Sequence, residues 1–384
     1  MYEDSGCEWI FGGKLEKERC GAYGAFTLTN DLTPYTKAAL FRQVGKKTHV
    51  LLTFSEVYRW AGYENCGRTC AYSIKFYTAD GIWDLVGCNH PVAFACHPRH
   101  YSDAIASRQE RVAQQKSGLA RKWDTWSLLP DSLHQIMYLT EDCENIRNYR
   151  YLHGFGCRTY QFVNNQDRRF LVKFHFLSQQ HSVSSAGKGP GRKNTDYFKW
   201  ARHDLYDSIR KGNYPKWKLY LQMMPREDAG KCPFNPYDPT KTWPQEDYPL
   251  MEAGTLELNS NPQNDAHEMR HCNFNPFNLV PGIELPDDGH RHNLYTDYYR
   301  QPGNCFRRKS AEAQRRFIRT VTTELSQVPE HIRLRAVARF YQADEGCGRE
   351  IARELRTDLR LILEEVEWQK EMENYKKDCE HVEV

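Results

Sequence analysis

Residues whose types could do chemistry cluster around Asn89. The run Trp83–Val86 reads as a strand, and it leads into Asn89, a polar residue predicted to be buried. Thiols and imidazoles, which can bind zinc, surround this position: they are Cys88, His90, Cys96, His97 and His100. Because alternate side chains of a strand point to opposite faces, and because the spacing matches no standard zinc module, we predict no metal site here.

The composition is that of a polar globular chain. At 384 residues the chain can bury a sizeable core. The net charge of +3 is small for this length, so we expect no nucleic acid as a partner. No apolar run approaches the roughly 20 residues that cross a bilayer, so we expect no membrane partner either.

The cysteines and the two termini bear on cellular location. The 13 cysteines are scattered without paired motifs, which favours a reducing compartment. Residues 1–8 lack the basic start and apolar core of a secretory signal. Residues 381–384 do not match the Ser-Lys-Leu type of peroxisomal address. We therefore predict a cytoplasmic protein, with the peroxisome as the second choice.

Two blocks of short β-rich runs must position these residues, and they predict a closed antiparallel barrel, because closure removes exposed strand edges. The segment Phe234–Pro244 is studded with proline and is predicted to wrap over the barrel as an extended arm. From Ala311 the spacing of apolar residues becomes helical, and Ile351–Lys377 reads as one surface helix. The strand candidates are Ala25–Thr29, Val50–Phe54, Tyr72–Tyr77, Trp83–Val86, Val92–Phe94, Arg158–Val163, Phe170–Phe176 and Lys216–Met224.

Three long motifs resemble the haem catalase family: Pro34–Phe41, Lys75–Pro91 with its tight Asp80-Gly81 turn, and Trp126–Gln135. The resemblance implies an α+β fold, namely an antiparallel eight-stranded β-barrel with surrounding helices and a C-terminal helical segment. It divides the chain into an N-terminal remnant arm at 1–18, the barrel core with its wrapping arm at 19–305 and a C-terminal helical region at 306–384. Haem b and hydrogen peroxide are the implied cofactor and substrate.

The resemblance also implies which residues surround the haem on its peroxide side. Asn89 matches the family's peroxide-orienting asparagine, Phe94 an aromatic residue over the haem, and Ser55 the serine behind the catalytic histidine. Glu16 replaces that histidine, and a glutamate can act as acid or base where burial raises its pKa. The simpler interpretation of Glu16 is an exposed residue in a run of alternating charges. Buried Asn, Ser and Phe side chains likewise need no ligand to explain them.

The part of the family that ligates iron is missing from this sequence. The matching segments end at Glu284 and resume at Gly289, and the residues between them are too few to reach into a barrel and return. The family's ligand tyrosine and the arginine that keeps it ionised belong in this gap. Tyr295, Tyr298 and Tyr299 follow nearby, and one of them could ligate iron only after rearrangement.

Other haem contacts of the family are also replaced. Its three propionate-binding arginines correspond to Gly13, Thr53 and Asn293, and a histidine that supports the proximal arginine corresponds to Arg158. Burying two carboxylates without cationic partners costs several kcal/mol each. We therefore expect haem b to be lost or weakly bound.

Two further differences concern partners. The long loop that should follow Asn304 is shortened, so oligomerisation is possible but an interlocked tetramer is not expected. Trp243 lies in a region where some catalases bind NADPH, but Gln245 replaces the family's histidine there. We therefore predict no NADPH.

Two hypotheses from different classes remain. The first, which the missing residues favour, is a pseudo-enzyme that keeps the fold as a binding or regulatory protein. The second is an active haem catalase or peroxidase that uses Glu16 and Asn89 with an unusual iron ligand, or whose sequence comes from an incomplete gene model.

Overall fold

The computed structural model describes residues 19–56, 69–96, 118–141, 148–180, 197–286 and 297–380. Their contacts divide the chain into two units, and the first holds the described residues up to Ala93 together with 148–286. The second unit holds 94–96, 118–141 and 297–380. The three-part division predicted from the sequence stays a prediction.

The first unit is built on one antiparallel sheet. Its strands are β1 (Arg19–Leu28), β2 (Lys47–Glu56), β3 (Cys70–Thr78), β4 (Gly81–Cys88), β5 (Gly154–Gly156), β6 (Tyr160–Val163), β7 (Arg169–Ser178), β8 (Lys216–Pro225), β9 (Met251–Ser260) and β10 (Ile283–Glu284). β1 pairs with both β2 and β9, and β8 pairs with both β7 and β9. The strand order therefore returns to its start.

β5 and β6 together fill one position in this ring, since they pair with successive parts of the same edge of β7. The ring thus has eight positions, and β10 is added on the outer edge of β6. The predicted closed antiparallel eight-stranded barrel is confirmed. The seam between β4 and β5 is short, with two register pairs.

Alternating side chains fill the barrel interior. On β2, Val50, Leu52 and Phe54 belong to the buried core, so the residues between them point outward. Aromatic rings dominate this core, and Phe76 stacks on Trp83 with 4.6 Å between ring centroids. β3 and β4 meet at the predicted tight turn, where Gly81 has a φ of 125° that a side chain would disfavour.

The helices are α1 (Gly118–Leu128), α2 (Leu133–Glu141), α3 (Tyr197–Arg210), α4 (Asp265–His271), α5 (Arg300–Arg307), α6 (Ala311–Leu325), α7 (Glu330–Ala343), α8 (Glu345–Glu354) and α9 (Leu359–Glu380). Of these described helices, α3 and α4 belong to the first unit. In the second unit, α6 buries Phe317, Ile318, Val321 and Leu325, which confirms the predicted helical face. No helix among the described residues is long and apolar enough to cross a membrane.

The proline-rich arm at 234–244 is irregular and packs against the barrel, as predicted. Trp243 is buried against Leu171 of β7 and Met224 of β8. The arm also receives hydrogen bonds from the barrel: Lys173 Nζ donates to the Lys241 carbonyl at 2.6 Å, and Thr159 donates to the Pro236 carbonyl at 2.8 Å. It therefore covers the outer side of β7 and β8.

Two sequence predictions of elements were wrong. Val92–Phe94 is not a strand, because the Ala93 amide donates to the Pro239 carbonyl of the arm at 2.8 Å instead of joining a ladder. The single helix predicted at Ile351–Lys377 is two helices. Between them Arg356 has a φ of 53°, a left-handed conformation that no α-helix continues through.

Of the strands that were not predicted, namely β5, β9 and β10, only β9 is long. Its outward face carries Glu252 and Glu257, and Gly254 interrupts its apolar pattern. That glycine is required, because a Cβ there would lie 2.4 Å from the Thr27 carbonyl oxygen of β1. Because of this polar face and this glycine, the sequence of β9 lacks the apolar alternation from which the other strands were predicted, although β9 closes the barrel.

Candidate functional site

Ser55 and Asn89, two of the predicted site residues, lie at the same end of the barrel. Ser55 is the outward-pointing residue that follows Phe54 on β2, and it is only 1% exposed. Its register partner on β3 is Ala71, which in turn pairs with Cys88 on β4. Asn89 follows directly after Cys88 and is half-buried, whereas the sequence predicted it to be buried. Ser55, Ala71 and Cys88 are therefore paired side by side across three strands, and Asn89 is the residue next to the last of them.

Asn89 is held in one orientation by the end of β3. Its backbone amide donates to the Cys70 carbonyl at 3.0 Å, and its side-chain Oδ1 accepts from the Cys70 amide at 2.8 Å. Since a backbone N–H can only donate, this contact fixes which end of the carboxamide is oxygen. The Asn89 NH2 group therefore points away from the Cys70 amide.

The positions matched to haem-binding residues hold different chemistry here. Thr53, on the same outward face as Ser55, is 2% exposed and lies within 3.5 Å of the Ser73 carbonyl oxygen, to which it donates. Arg158 has its guanidinium 5.8 Å from the ring centroid of Phe277, a cation–π contact. Thr53 carries no charge that could neutralise a carboxylate.

A buried ion pair anchors the chain segment that leads towards the shortened region. Lys75 Nζ lies 2.6 and 2.9 Å from the two Asp84 oxygens, and the Asp84 side chain is fully buried. Asp84 also accepts from the Asn275 amide at 3.0 Å and from Asn278 Nδ2 at 2.8 Å. The Phe274 ring lies 5.0 Å from the Lys75 ammonium. This network fixes residues 274–278 against the outer wall of β3 and β4.

Sequence reasoning missed a second polar group on the outer wall, below the proline-rich arm. Lys173 and His175 both point outward from β7. Burial lowers the pKa of Lys173 to about 8, although the negative charge of Asp238 acts to raise it. Burial, followed by the nearby Lys173 charge, lowers the pKa of His175 to about 4. The alternating pattern of β7 marks these residues as outward, but nothing local to the strand shows that the arm buries them.

Cys88 and Cys157 belong to the same outer wall. The Cys157 amide donates to the Val86 carbonyl at 3.2 Å, one step beyond the β4–β5 ladder. A hydrogen bond from Cys157 lowers the pKa of Cys88 to about 7, with help from the charge and backbone of His90 and against the effect of burial.

Phe94, the fourth predicted site residue, belongs to the second unit. It is 7% exposed, and its ring centroid lies 6.5 Å from that of Trp126. Nearby, the Cys96 amide donates to Asp131 at 2.9 Å. In this unit Phe94 is part of an aromatic core.

Tyr299 is also fixed within the second unit. Its hydroxyl donates to Glu373 Oε1 at 2.7 Å and accepts from Arg339. Burial raises its pKa above the ordinary range. Tyr298 is half-buried.

Several predicted positions lie outside the described residues: they are Glu16, Gly13, Asn293, Tyr295, His97 and His100. Within the part of the chain that the structure describes, no group of three His, Cys, Asp or Glu side chains lies close enough to hold a metal ion. Trp243, weighed for NADPH, is 2% exposed, and its Nε1 donates to the Pro236 carbonyl at 3.1 Å.

The described residues of the first unit thus form a closed antiparallel eight-stranded barrel protein with a serine and an asparagine at one end of its outer wall. The family described as Catalase matches residues 17–301, and one described as Catalase-related immune-responsive matches residues 293–355. The chain belongs to the catalase family.

Individual relatives agree with this assignment. A catalase from Aliivibrio fischeri is 32% identical over 432 aligned positions, which cover 90% of this chain and 89% of the relative. A catalase from Neisseria gonorrhoeae is 40% identical over 275 positions, 72% of this chain, so the matched part spans about half of the relative, 55%. An alignment of 432 positions that covers 90% of a 384-residue chain must contain positions at which this chain has no residue.

Solved structures resemble the fold. A bacterial catalase matches with a TM-score of 0.78 over 90% of this chain and 87% of that chain, at 24% identity. A fungal catalase matches with a TM-score of 0.77 over 91% and 87%, at 22% identity. At this identity the two likenesses concern the fold alone.

Proposed function

We propose that this chain is a catalase-family protein whose peroxide disproportionation is lost or strongly impaired, and that its barrel is retained as a binding or regulatory protein. One observation carries the proposal. Only residues 285–288 stand between the two matching segments, so the ligand tyrosine and its arginine have no counterpart. The gapped alignment to the Aliivibrio fischeri catalase is consistent with a shortened chain.

The described side chains do not fit a haem iron. Tyr299, a tyrosine downstream of the gap, has its hydroxyl engaged with Glu373 and Arg339. Ligating iron would require it to leave both partners and to become an anion, although burial raises its pKa.

Two outer-wall residues, Thr53 and Lys75, are poorly suited to neutralising the haem propionates. Thr53 is neutral, and its hydroxyl donates to a backbone carbonyl. Lys75 is already paired with Asp84, which accepts two further hydrogen bonds. Breaking that pair to serve a ligand carboxylate would leave Asp84 as an uncompensated buried charge, at a cost of about 3–5 kcal/mol.

The two described residues on this wall that match the family's site are suited to binding rather than to proton transfer. Asn89 and Ser55 are neutral side chains that can hydrogen-bond a small polar molecule but have no pKa near neutral pH. A general acid–base must change protonation state near the working pH. The described residues that match the family's site therefore keep its orienting group without its acid–base group.

The alternative is an active haem catalase or peroxidase. The match of the Catalase family to residues 17–301 favours it. In that case Glu16 would be the acid–base group beside Asn89, and hydrogen peroxide would be the substrate. The iron ligand would be an unusual residue, or one restored by a corrected gene model.

The test is to express the full chain with a haem supply, with the Aliivibrio fischeri catalase as a positive control. We expect at most a weak Soret band, and oxygen release from hydrogen peroxide at least 1,000-fold (about 4 kcal/mol) below the control. Two variants, Glu16→Gln and Asn89→Ala, are expected to leave the residual rate unchanged.

A stoichiometric Soret band with oxygen release that falls in Glu16→Gln would overturn the proposal. Haem absorption without oxygen release would not rescue the enzyme hypothesis, because exposed histidines can bind haem adventitiously. Re-reading the gene between the codons for Glu284 and Gly289 is an independent check. A skipped exon that encodes an arginine and a tyrosine would favour the alternative hypothesis, an active haem catalase.

A further inference from the structure

Helix α4 carries two histidines one turn apart. The chain reads His267-Glu268-Met269-Arg270-His271, which has the pattern H-E-x-x-H. Since residues four apart lie on the same side of an α-helix, the two imidazoles are neighbours. Their ring centroids lie 4.4 Å apart. On zinc-binding helices this spacing places both histidines against one ion.

The tautomer of His271 leaves one of its ring nitrogens open to a metal ion. Its Nδ1 lies 2.8 Å from the His267 carbonyl oxygen. A carbonyl oxygen can only accept a hydrogen bond, so Nδ1 carries the proton and donates it. In the neutral ring Nε2 then has a lone pair. Metal-binding histidines are commonly oriented in this way, by a hydrogen bond from the nitrogen that does not ligate.

Both imidazoles lie on the outside of the first unit, where water reaches them. His267 and His271 are exposed. Among the described residues no third His, Cys, Asp or Glu side chain lies close enough to complete a set of three ligands with them. An ion held here would therefore take its remaining ligands from water.

Glu268, the acidic residue of the pattern, is turned towards the barrel. Its Oε2 accepts from the Tyr23 hydroxyl of β1 at 2.8 Å, and its Oε1 accepts from the Asn264 amide at 2.8 Å. In zinc proteases with this pattern the glutamate is the general base. Because both carboxylate oxygens are engaged here, the helix is suited to holding an ion and not to using it for hydrolysis.

Contacts with the barrel and with α3 hold α4 in place. Met269 is buried, and its sulfur would lie 2.8 Å from a Cβ added at Gly21 of β1. Asp265 accepts from the Tyr206 hydroxyl of α3. The helix has only seven residues, and an isolated helix of this length is unstable in water. These contacts therefore keep the helix formed and keep its two histidines on the outer side.

We propose that His267 and His271 form a binding site for one divalent transition-metal ion, with water in the remaining positions. Imidazole nitrogen binds Zn²⁺ and Cu²⁺, at about 2.0–2.1 Å for zinc, whereas Mg²⁺ and Ca²⁺ take oxygen ligands. Two bonds of that length join rings as close as these two. Cu²⁺ binds more tightly than Zn²⁺ to a given set of nitrogen ligands.

Metal binding at α4 does not depend on haem, because neither histidine is among the residues matched to the haem site. Its physical consequence is local. An ion that bridges His267 and His271 links two turns of a short helix. Since the unfolded chain does not hold these rings together, the bound ion stabilises the folded helix.

The test uses the full-length chain without a histidine tag, stripped of metal by a chelator. Equilibrium dialysis against ZnCl2, and separately against CuSO4, measures the ions bound per chain. The variants His267→Gln and His271→Gln should each weaken binding of one ion at least about tenfold, since even the loss of a hydrogen bond that supports a ligand costs about 10–100-fold. An excess of Mg²⁺ or Ca²⁺ should not displace this ion.

The matched control is His203→Gln. His203 is also exposed on a helix of the first unit, α3, but no histidine lies three or four residues from it. This variant should bind metal like the wild type.

Two further measurements locate the ion. With one equivalent of Cu²⁺, electron paramagnetic resonance should show coupling to two imidazole nitrogens in the wild type and in His203→Gln, but not in His271→Gln. Hydrogen exchange of a peptide that contains α4 should slow when Zn²⁺ is added to the wild type, and it should not change in His267→Gln.

Equal metal binding by the wild type and by both α4 variants would overturn the proposal. Zn²⁺-dependent protection of other segments without protection of α4 would also overturn it. The spectra and the hydrogen exchange of the wild type stand even if a glutamine variant folds poorly.

Discussion

Replacing Asp84 with asparagine should destabilise the first unit strongly. Asp84 is fully buried and accepts four hydrogen bonds: two from Lys75, one from the Asn275 amide and one from Asn278 Nδ2. An asparagine has the same shape, but it has no charge and turns one acceptor into a donor. Lys75 then remains as a largely buried cation without a counter-charge.

The magnitude follows from this geometry. Breaking one side of a buried pair costs about 3–5 kcal/mol. A matched control lies on the same barrel, where Glu252 of β9 accepts from Lys218 of β8 at 2.9 Å with side chains 31% and 36% exposed. Such an exposed pair is worth about 0–1 kcal/mol. Glu252→Gln should therefore have little effect.

The assay is urea denaturation followed by tryptophan fluorescence, together with hydrogen exchange of peptides from β3, β4 and residues 272–278. In Asp84→Asn these peptides should lose protection together, because the same carboxylate holds all three segments. If the variant does not fold, Lys75→Met provides a second measurement. It should lose less stability, since Asp84 keeps two amide donors. The reasoning would be refuted if Asp84→Asn and Glu252→Gln differed by less than about 1 kcal/mol.

Three other changes should have definite results. The fold keeps His175 neutral down to its pKa of about 4, whereas the unfolded chain binds a proton there below about pH 6.5. The free energy of unfolding should therefore fall by up to about 3 kcal/mol between pH 6.5 and pH 4. In denaturation measured across this pH range, the plot of stability against pH should be flatter in His175→Gln but not in the exposed control His49→Gln. Gly24→Ala should lose about 1–3 kcal/mol in urea denaturation, because its Cβ would lie 1.9 Å from a carbonyl oxygen of β9, whereas Gly230→Ala, with open space around it, should be neutral. Tyr299→Phe should lose about 1–2 kcal/mol by the same assay but leave any Soret band unchanged, since its hydroxyl serves a side-chain network; a lost band would mark it as the iron ligand.

The barrel could be predicted from the sequence because its signal is both local and repeated. Alternating apolar residues mark β2, β3, β4 and β7, and each strand by itself shows which face is inward. β9 could not be predicted in this way. Gly254 makes room for the backbone of β1, and two glutamates pair with lysines of another strand, so its apolar residues do not alternate clearly. Its lysine partners, Lys216 and Lys218, lie on β8, far away in sequence.

The positions of Ser55 and Asn89 could be predicted from motifs that surround them, and the structure places both at one end of the outer wall. The burial of Lys173 and His175 could not be predicted in this way. It depends on the arm at 234–244, which crosses β7 at a sequence separation that no local pattern can detect.

The packing of the barrel core does not depend on the candidate site. The barrel interior is packed by its own aromatic side chains: Phe41 contacts Phe26 and Trp83, and Phe54 stacks on Tyr149 at 4.8 Å. These contacts need no ligand, and burial of each large ring stabilises the fold by about 1.5–3 kcal/mol. Two of the matched site residues, Ser55 and Asn89, lie instead at the outer wall, where Asn89 bonds to the Cys70 amide. Because the core and the candidate site are on opposite faces of the same strands, substitutions at the site leave the core packing intact. The barrel can therefore fold whether or not the site is functional.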